Sequence, residues 1–429
     1  MSYLKFTISL IAIFCCTIQP LKGVEQSNRF KILKQNNNWS LYHNDKPFYI
    51  KGAVGWHDYK LLKACGANSV RLQASRRQLD RAWEEGLYVM AGLPVRGERS
   101  GMDWDDQEMV EAQKQKVLNL VTELKNHPAV MCWAIGNELD WIPPGRPCNP
   151  NLWIRLNDIA QAIHTVDPDH PVLTVVGTGQ FDQKIKQIAR DCSDMDLLGI
   201  NTYSDIQEVI DLADTYWPKS YLIAEWGPTG HWQVPKTLWN APIEQTSSEK
   251  AQVYYHRYFN VISKHKNNCL GSYVFLWGEK QETTHSWYGM FRDGLMTESV
   301  DVMKYAWSGT WPGNRAPIVL DIRIEDFDGR KNVRLQPQKN YRAAVICYDV
   351  DHDTLIYDWD IRPEVQIPEN SYAGGLEKPA KIIPGLISNG GGPQISFITP
   401  TAKGPYRLFV QIADGQGNAG YGNIPFYVE

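Results

Sequence analysis

Val130-Met131-Cys132-Trp133-Ala134-Ile135-Gly136-Asn137-Glu138 is a run of six apolar residues closed by a glycine and two polar side chains. A run so short and unbroken suits a strand buried on both faces, where neither face tolerates polar groups. Similar runs flank it at Tyr49–Val54, Ser69–Leu72, Tyr88–Leu93, Val172–Val176, Leu197–Tyr203, Tyr221–Trp226 and Ser272–Trp277. Helical patterns separate them. Met109, Val110, Val117, Leu120, Val121 and Leu124 share one helix face, and Ile159, Ile163 and Val166 share another. His127-Pro128 and Asp167-Pro168 stop these two helices. Strands alternating with helices from Phe48 to about Gly309 predict an α/β fold, a closed (β/α)8 TIM barrel over residues 48–310. A doubly wound sheet is the competing arrangement, but no glycine-rich phosphate turn follows the first strand.

The flanks read differently. Phe30–Leu33 and Trp39–Tyr42 enclose Asn36-Asn37-Asn38, and Asn44-Asp45 marks a second turn, so residues 24–47 predict a hairpin covering the bottom of the barrel. Trp311-Pro312-Gly313-Asn314 and Ala316-Pro317 form a breaker-rich linker. Beyond it the apolar period becomes two, in Ile318/Leu320/Ile322/Ile324, Ala344/Ile346/Tyr348 and Leu408/Val410/Ile412. Turns at Asp326–Gly329 and Asp414–Gly417 separate these runs, so residues 311–429 predict an all-β, Ig-like sandwich. At the other end, Lys5 precedes an apolar stretch from Phe6 to Ile18, the length of a signal-peptide core and too short to span a bilayer. Residues 1–23 are therefore expected to direct export, to the periplasm, cell surface or medium. Cys15 and Cys16 suggest a lipid anchor, but Ile13-Phe14 lacks the small residues such a site uses.

Composition narrows the function. Lys+Arg 44 against Asp+Glu 48 in 429 residues leaves a net charge of −4, so no field favours a nucleic acid partner. The 16 tryptophans and 21 tyrosines are many, and flat apolar rings beside polar groups suit sugar rings. Cys65, Cys132, Cys148, Cys192, Cys269 and Cys347 contain no CxxC pair, which argues against a zinc site, and no cofactor is expected. Ordinary core packing explains many of these aromatic rings as well; if the sugar reading holds, the partner is a poly- or oligosaccharide, met by a monomer without a membrane span.

In such a barrel the reacting groups stand at the C-terminal ends of the strands. Glu138 follows the fourth strand and Glu225, in Ile223-Ala224-Glu225-Trp226-Gly227, ends the seventh. Both follow buried runs, so desolvation should raise their pKa unless a partner opposes it. Paired carboxylates can divide the roles of acid and nucleophile, and a retaining glycosidase holds them roughly 5–5.5 Å apart. A lone glutamate after a strand is as readily a salt-bridge or surface residue; the matching pair gives the catalytic reading its weight.

Gly136-Asn137-Glu138 and Glu225-Trp226-Gly227 resemble the clan A (4/7 superfamily) retaining glycoside hydrolases, which carry acid/base and nucleophile on strands four and seven of a TIM barrel. The resemblance covers most of the barrel. It implies Glu138 as acid/base and Glu225 as nucleophile, with Arg71 near the nucleophile and Asn137 on the sugar 2-hydroxyl. It also implies Tyr203 hydrogen-bonded to the nucleophile and Trp277 as the floor of the −1 subsite. The structural alternatives are plain: Arg71 neutralising buried carboxylates, Tyr203 and Trp277 packing the rim. The two-domain build is similar to the family 158 endo-β-1,3-glucanases of gut-type bacteria.

Around the predicted cleft, Trp104, Trp141, Trp226, Trp232 and Trp287 are expected to offer stacking faces, unless they pack the loops. His57, with Asp58, follows strand one, and His285 lies beyond strand eight; either could line the cleft. Arg96, Arg99 and Arg146 are too few to signal a uronic acid, so a neutral β-linked glycan, β-1,3-glucan foremost, is the expected substrate. A β-mannanase, a β-galactanase or a transglycosylase would use the same residues. A non-catalytic glycan-binding protein is the alternative of another class, opposed by the presence of both glutamates. Asp349-Val350-Asp351-His352-Asp353 reads as a turn at a sandwich edge; alternating aspartates can ligate calcium, but no metal site is assigned. The sandwich resembles the Ig-like or cadherin-like modules attached to bacterial polysaccharide-degrading enzymes, and a structural role is expected of it.

Overall fold

The computed structural model describes residues 30–142, 148–365 and 377–429. The predicted leader and Arg146 lie outside the described residues. Eight parallel strands close into a barrel: β1 (Ile50–Val54), β2 (Ser69–Gln73), β3 (Tyr88–Leu93), β4 (Val130–Ile135), β5 (Val172–Val176), β6 (Leu197–Asn201), β7 (Ser220–Trp226) and β8 (Cys269–Val274). β8 pairs with β1 and β7, completing the circle. Helices α1 (Tyr59–Ala64), α2 (Arg76–Glu84), α3 (Gln107–Leu124), α4 (Asn151–Val166), α5 (Phe181–Asp191), α6 (Ile206–Tyr216), α7 (Ser247–His256) and α8 (Glu298–Ser308) form the outer ring.

The unbroken apolar strands meet two cores. Met90, Ala134, Leu173, Leu222, Ala224 and Tyr273 fill the barrel, while Val89, Trp133, Ile135, Val176 and Ile223 pack outward against the helices. On α3, Val110, Val117, Val121 and Leu124 are buried as the helical period requires, and Asp106 caps its start by accepting from the Met109 N–H (3.0 Å). Below the barrel, Phe30–Gln35, Asn38–His43 and Lys46–Phe48 form an antiparallel sheet. Asn36 and Asn37, then Asn44 and Asp45, take positive φ at its two tight turns, which Asn and Asp tolerate best. Phe30 and Leu41 close the lower end of the interior core.

The eighth strand differs from the run Ser272–Trp277 read in the sequence. Its paired ladder with β1 and β7 begins at Cys269 and ends at Val274. Phe275 to Trp277 lie past that ladder, tied to the strand ends by single bonds: the Phe275 N–H donates to the Trp226 carbonyl (2.6 Å) and the Trp277 N–H to the Val54 carbonyl (2.8 Å).

The C-terminal region is a two-sheet sandwich. Ile318–Ile324, Asn340–Tyr348, Gln394–Ile398 and Ile387–Ser388 form one sheet. Arg334–Leu335, Ala419–Val428, Gly404–Ala413 and Ile356–Pro363 form the other. Leu408, Val410 and Ile412 face its core, as their period predicts. Two other phases are corrected. A bulge between Val319 and Asp321 turns Leu320 out to solvent. In the next strand the inward residues are Ala343 and Val345, so Ile346 and Tyr348 face outward. Period two fixes alternation but not which alternate set points inward.

Barrel and sandwich share a buried polar seam at the start of α7. The Val319 N–H donates to Ser248 Oγ (2.9 Å), the Tyr421 N–H donates to Ser247 Oγ (3.0 Å), and the Thr246 hydroxyl donates to the Val319 carbonyl (2.9 Å). Behind them Lys250 and Glu244 form an ion pair (2.6 Å), and Asn423 donates to Glu244 (2.7 Å). His285 belongs to this seam and not to the cleft: its ring packs on Phe409 of the sandwich, 4.4 Å between centroids. Burial, with Arg292 and Arg362 nearby, pushes its pKa down to about 3. The unfolded chain takes up that proton near pH 6.5 and the folded chain only near 3, so His285 contributes stability above pH 6.5 that is lost as pH falls toward 3. His285→Gln is therefore expected to flatten the fall in unfolding midpoint between pH 7 and pH 4. A midpoint as pH-sensitive as that of the parent would contradict this account.

Candidate active site

The C-terminal ends of β2, β4, β6 and β7 converge on one polar cluster. Arg71, from β2, donates through Nη1 to the Ala224 carbonyl (2.8 Å) and Asn201 Oδ1 (3.1 Å), and through Nη2 to Asn137 Oδ1 (2.5 Å). Its Nη1 also lies 3.5 Å from Glu225 Oε2. The Tyr203 hydroxyl donates to the other Glu225 oxygen (2.7 Å). Asn201 donates to Glu138 Oε1 (2.6 Å) and to Asn137 Oδ1 (3.0 Å). A chain of hydrogen bonds and one ion pair thus links the strand-seven glutamate to the strand-four glutamate through Arg71, Asn137 and Asn201.

Backbone geometry aims Glu138. After β4 the chain takes positive φ at Gly136 (72°) and at Glu138 itself (47°), a conformation uncommon outside glycine and often found at functional sites. The Glu138 N–H donates to the Val175 carbonyl (2.8 Å), which fixes the turn over β5. Gly177 leaves the room: a Cβ there would sit 3.2 Å from the Glu138 carboxyl carbon.

The carboxylates share an electrostatic environment. Burial raises the Glu225 pKa above the ordinary glutamate range; the Arg71 charge opposes it, the nearby Glu138 charge adds to it, and the Tyr203 hydrogen bond and Lys280 oppose it in turn. The group stays above its usual value.

The structure therefore brings together Glu138, Glu225, Arg71, Asn137 and Tyr203. Asn201, the residue that touches most of the others, escaped the sequence reading. The signal was present, a polar side chain ending a buried strand, but it stood in the shadow of Tyr203 two positions on.

The tryptophans need correction. Trp226 and Trp277 are fully buried, as are Trp104 and Trp287, so none offers a ring face to a ligand. Trp226 points out of the barrel onto Tyr254 and Tyr258, because alternation along β7 turns it away once Glu225 faces the mouth. Trp277, past the end of β8, packs on Phe291 and Trp307. Phe275 instead stands beside the site, 6.5 Å from the Tyr203 ring. Trp232 is 47% exposed and meets the Tyr203 ring edge-on at 5.6 Å. Trp141, with the Arg99 guanidinium 5.7 Å from its ring, is half-buried. His57 packs on Phe291 (4.3 Å), next to Trp56, which is 66% exposed and was not singled out from the sequence.

The fold is a closed (β/α)8 barrel with one glutamate after its fourth strand and another at the end of its seventh. Residues 38–301 match the glycosyl hydrolases family 2 TIM barrel domain, and the chain belongs to that family. Over 120 residues, 26% of this chain and 14% of the relative, it is 29% identical to a putative β-glucuronidase of Formosa agariphila. Among solved structures it is similar to the β-glucuronidase of Bacteroides uniformis (TM-score 0.50, 12% identity). It is also similar to β-glucuronidase 2 of the same organism covalently bound to cyclophellitol-6-carboxylate aziridine (TM-score 0.51, 12% identity). Each match covers 93% of this chain and 48% of the other, so the chain spans about half the length of those enzymes. At that identity the likeness is one of fold. Among the described residues, no helix is long and apolar enough to cross a membrane.

Proposed function

We propose that the chain is a retaining glycoside hydrolase acting on a neutral β-linked glycan. The observation that carries the proposal is the chain of hydrogen bonds and one ion pair joining Glu225 to Glu138 across one barrel mouth. In the first step Glu225 attacks the anomeric carbon while Glu138 gives its proton to the departing glycosidic oxygen. In the second, Glu138 takes a proton from water, which displaces Glu225 and restores the starting configuration. Arg71 and Tyr203 hold Glu225 in line for attack and favour its charged form. The apolar stretch Phe6–Ile18 supports export, which suits a polymeric substrate.

Among the described residues, a neutral substrate is supported by the state of the two cations that act on Glu225. Arg71 is occupied by Glu225, Asn137 and Asn201, and Lys280 is paired with Glu282 (2.5 Å). β-1,3-Glucan is the first polymer to test. A β-glucuronide is the second reading, favoured by Lys280 itself: its charge acts on Glu225, and exchanging Glu282 for a substrate carboxylate would place a uronic acid at the site. Incubation with laminarin, mixed-linkage glucan, mannan, galactan and an aryl β-glucuronide separates the readings. Oligosaccharides from a neutral polymer, first released with the β configuration, are expected. Release from the glucuronide alone would overturn the neutral assignment, and α-configured first products would overturn the retaining one.

Two further outcomes are expected. Tyr203→Phe removes a hydrogen bond that holds the Glu225 pKa down, so the acidic limb of the kcat/KM profile should move to higher pH. An unmoved limb would show that Glu225 does not set it. Trp232→Ala should raise KM roughly 2–12-fold with kcat little changed, the range that losing one ring-stacking contact implies. A KM equal to that of the parent would remove Trp232 from the substrate path.

A further inference from the structure

Beyond the barrel, one cluster carries chemistry that glycoside hydrolysis does not use. Asp349 follows the strand Asn340–Tyr348 of one sandwich sheet, Asp353 lies in the same loop, and Asp414 follows the strand Gly404–Ala413 of the other sheet. Each offers one carboxylate oxygen, and the three oxygens lie within 4.8 Å of one another. Alone, that is three like charges gathered in one place.

Two buried oxygens show what the cluster lacks. Asp349 is only 7% exposed; its Oδ1 accepts from the Asp351 and Asp353 N–H groups (2.8 and 3.1 Å), while its Oδ2 is buried with no hydrogen-bond partner. Asn418 is 2% exposed, and its Nδ2 donates to Asp414 Oδ2 (2.6 Å) and Asn314 Oδ1 (2.5 Å). Asn314 in turn donates to Asp353 Oδ2 (2.5 Å). The Asn418 amide is thereby held between Asp414 and the Asn314–Asp353 pair, and its carbonyl oxygen is also buried without a donor. A charged and a neutral oxygen, both desolvated and both unpaired, are costly unless a cation meets them. Among the described residues no side chain supplies it: the neighbouring Arg315 guanidinium turns to Glu298 (4.0 Å) and Asp301 (3.7 Å).

We infer that Asp349, Asp353, Asp414 and the Asn418 carbonyl bind a calcium ion. The donors are all oxygen, which selects a hard cation and disfavours zinc. Calcium sits roughly 2.3–2.6 Å from its ligands, so no two of them stand more than about 4.6–5.2 Å apart, and the three oxygens fall inside that limit; magnesium needs a tighter shell of about 2.0–2.1 Å and keeps most of its waters. Such an ion joins the ends of both sheets. It also reaches the linker through Asn314, and the barrel through the 414–418 turn, where the Gly417 carbonyl accepts from the Met296 N–H (3.0 Å). Calcium therefore fastens the sandwich to itself and to the end of the barrel.

The test uses the full chain stripped with EDTA and then freed of chelator. Isothermal titration with calcium chloride is expected to show one site, and calcium at about a hundred times its dissociation constant to raise the unfolding midpoint by a few degrees. Asp353→Asn, the mildest change because that residue is half-buried, should fold as the parent does, yet bind calcium roughly tenfold more weakly or worse and lose the midpoint shift. Asp349→Asn should behave alike, and near-ultraviolet circular dichroism confirms folding of each. Absence of calcium binding and of a midpoint shift in the parent would overturn the inference. So would a folded Asp353→Asn protein with unchanged affinity, or an equal response to magnesium. Because binding is read without substrate, these outcomes are independent of the glycosidase reading.

Discussion

Glu225→Ala is expected to lower turnover of the natural glycan by at least ~10⁴-fold, the loss associated with removing a nucleophile that acts in concert with its neighbours. The fold should survive, because Glu225 is held at the barrel mouth by two side chains, Arg71 and Tyr203, and supports no packed layer. The variant also offers a positive readout. Removing the carboxylate opens space on one face of the anomeric carbon, and azide supplied to Glu225→Ala should occupy it and attack in a single displacement. The product expected from an activated β-glycoside is the α-glycosyl azide. A β-azide, or near-normal hydrolysis by the variant, would show that the strand-seven glutamate is not the nucleophile.

Glu138→Ala should cost roughly 10²–10⁴-fold on the natural glycan, the usual contribution of general acid–base catalysis. Its signature is the dependence on leaving group. A dinitrophenolate departs without a proton, so glycosylation of Glu225 should remain fast with such a substrate while the second step, which needs the base, becomes slow. A burst of dinitrophenol followed by slow turnover is the expected trace, with azide accelerating the slow phase and giving a β-glycosyl azide. Equal damage to activated and natural substrates would exclude Glu138 as the acid. Asn201→Ala is the companion variant: among the described residues of the cluster, Asn201 is the side chain hydrogen-bonded to Glu138, and its loss should lower kcat more on the natural glycan than on a dinitrophenyl glycoside.

Much of this site was legible because strand ends are marked locally. An apolar run buried on both faces, as in Val130–Ile135, stops where a polar side chain can reach solvent, so Glu138 and Glu225 announce themselves by position. Arg71, Asn137 and Tyr203 came from the resemblance to clan A glycoside hydrolases, while Asn201, also at a strand end, was available to the positional reading. The tryptophans were not legible. Trp226 is turned away by the alternation that presents Glu225, and Trp277 by a strand that ends three residues earlier than its apolar run. Whether a ring lines a cleft depends on what packs above it, as Phe291 and Trp307 do over Trp277.

The order of elements, the two-domain build and the paired strand-end glutamates were determined by the sequence alone, since each rests on hydrophobic period, turn residues or a position next to a run. Tertiary structure decided whatever depends on partners distant along the chain. It set the inward phase of Ala343 and Val345, the place of His285 in the domain seam, and the meeting of Asp349 and Asp353 with Asp414 and Asn418. The physical reason is the same in each case: local pattern fixes which side chains alternate or repeat, but burial and electrostatic field are set by neighbours that only the folded chain brings near.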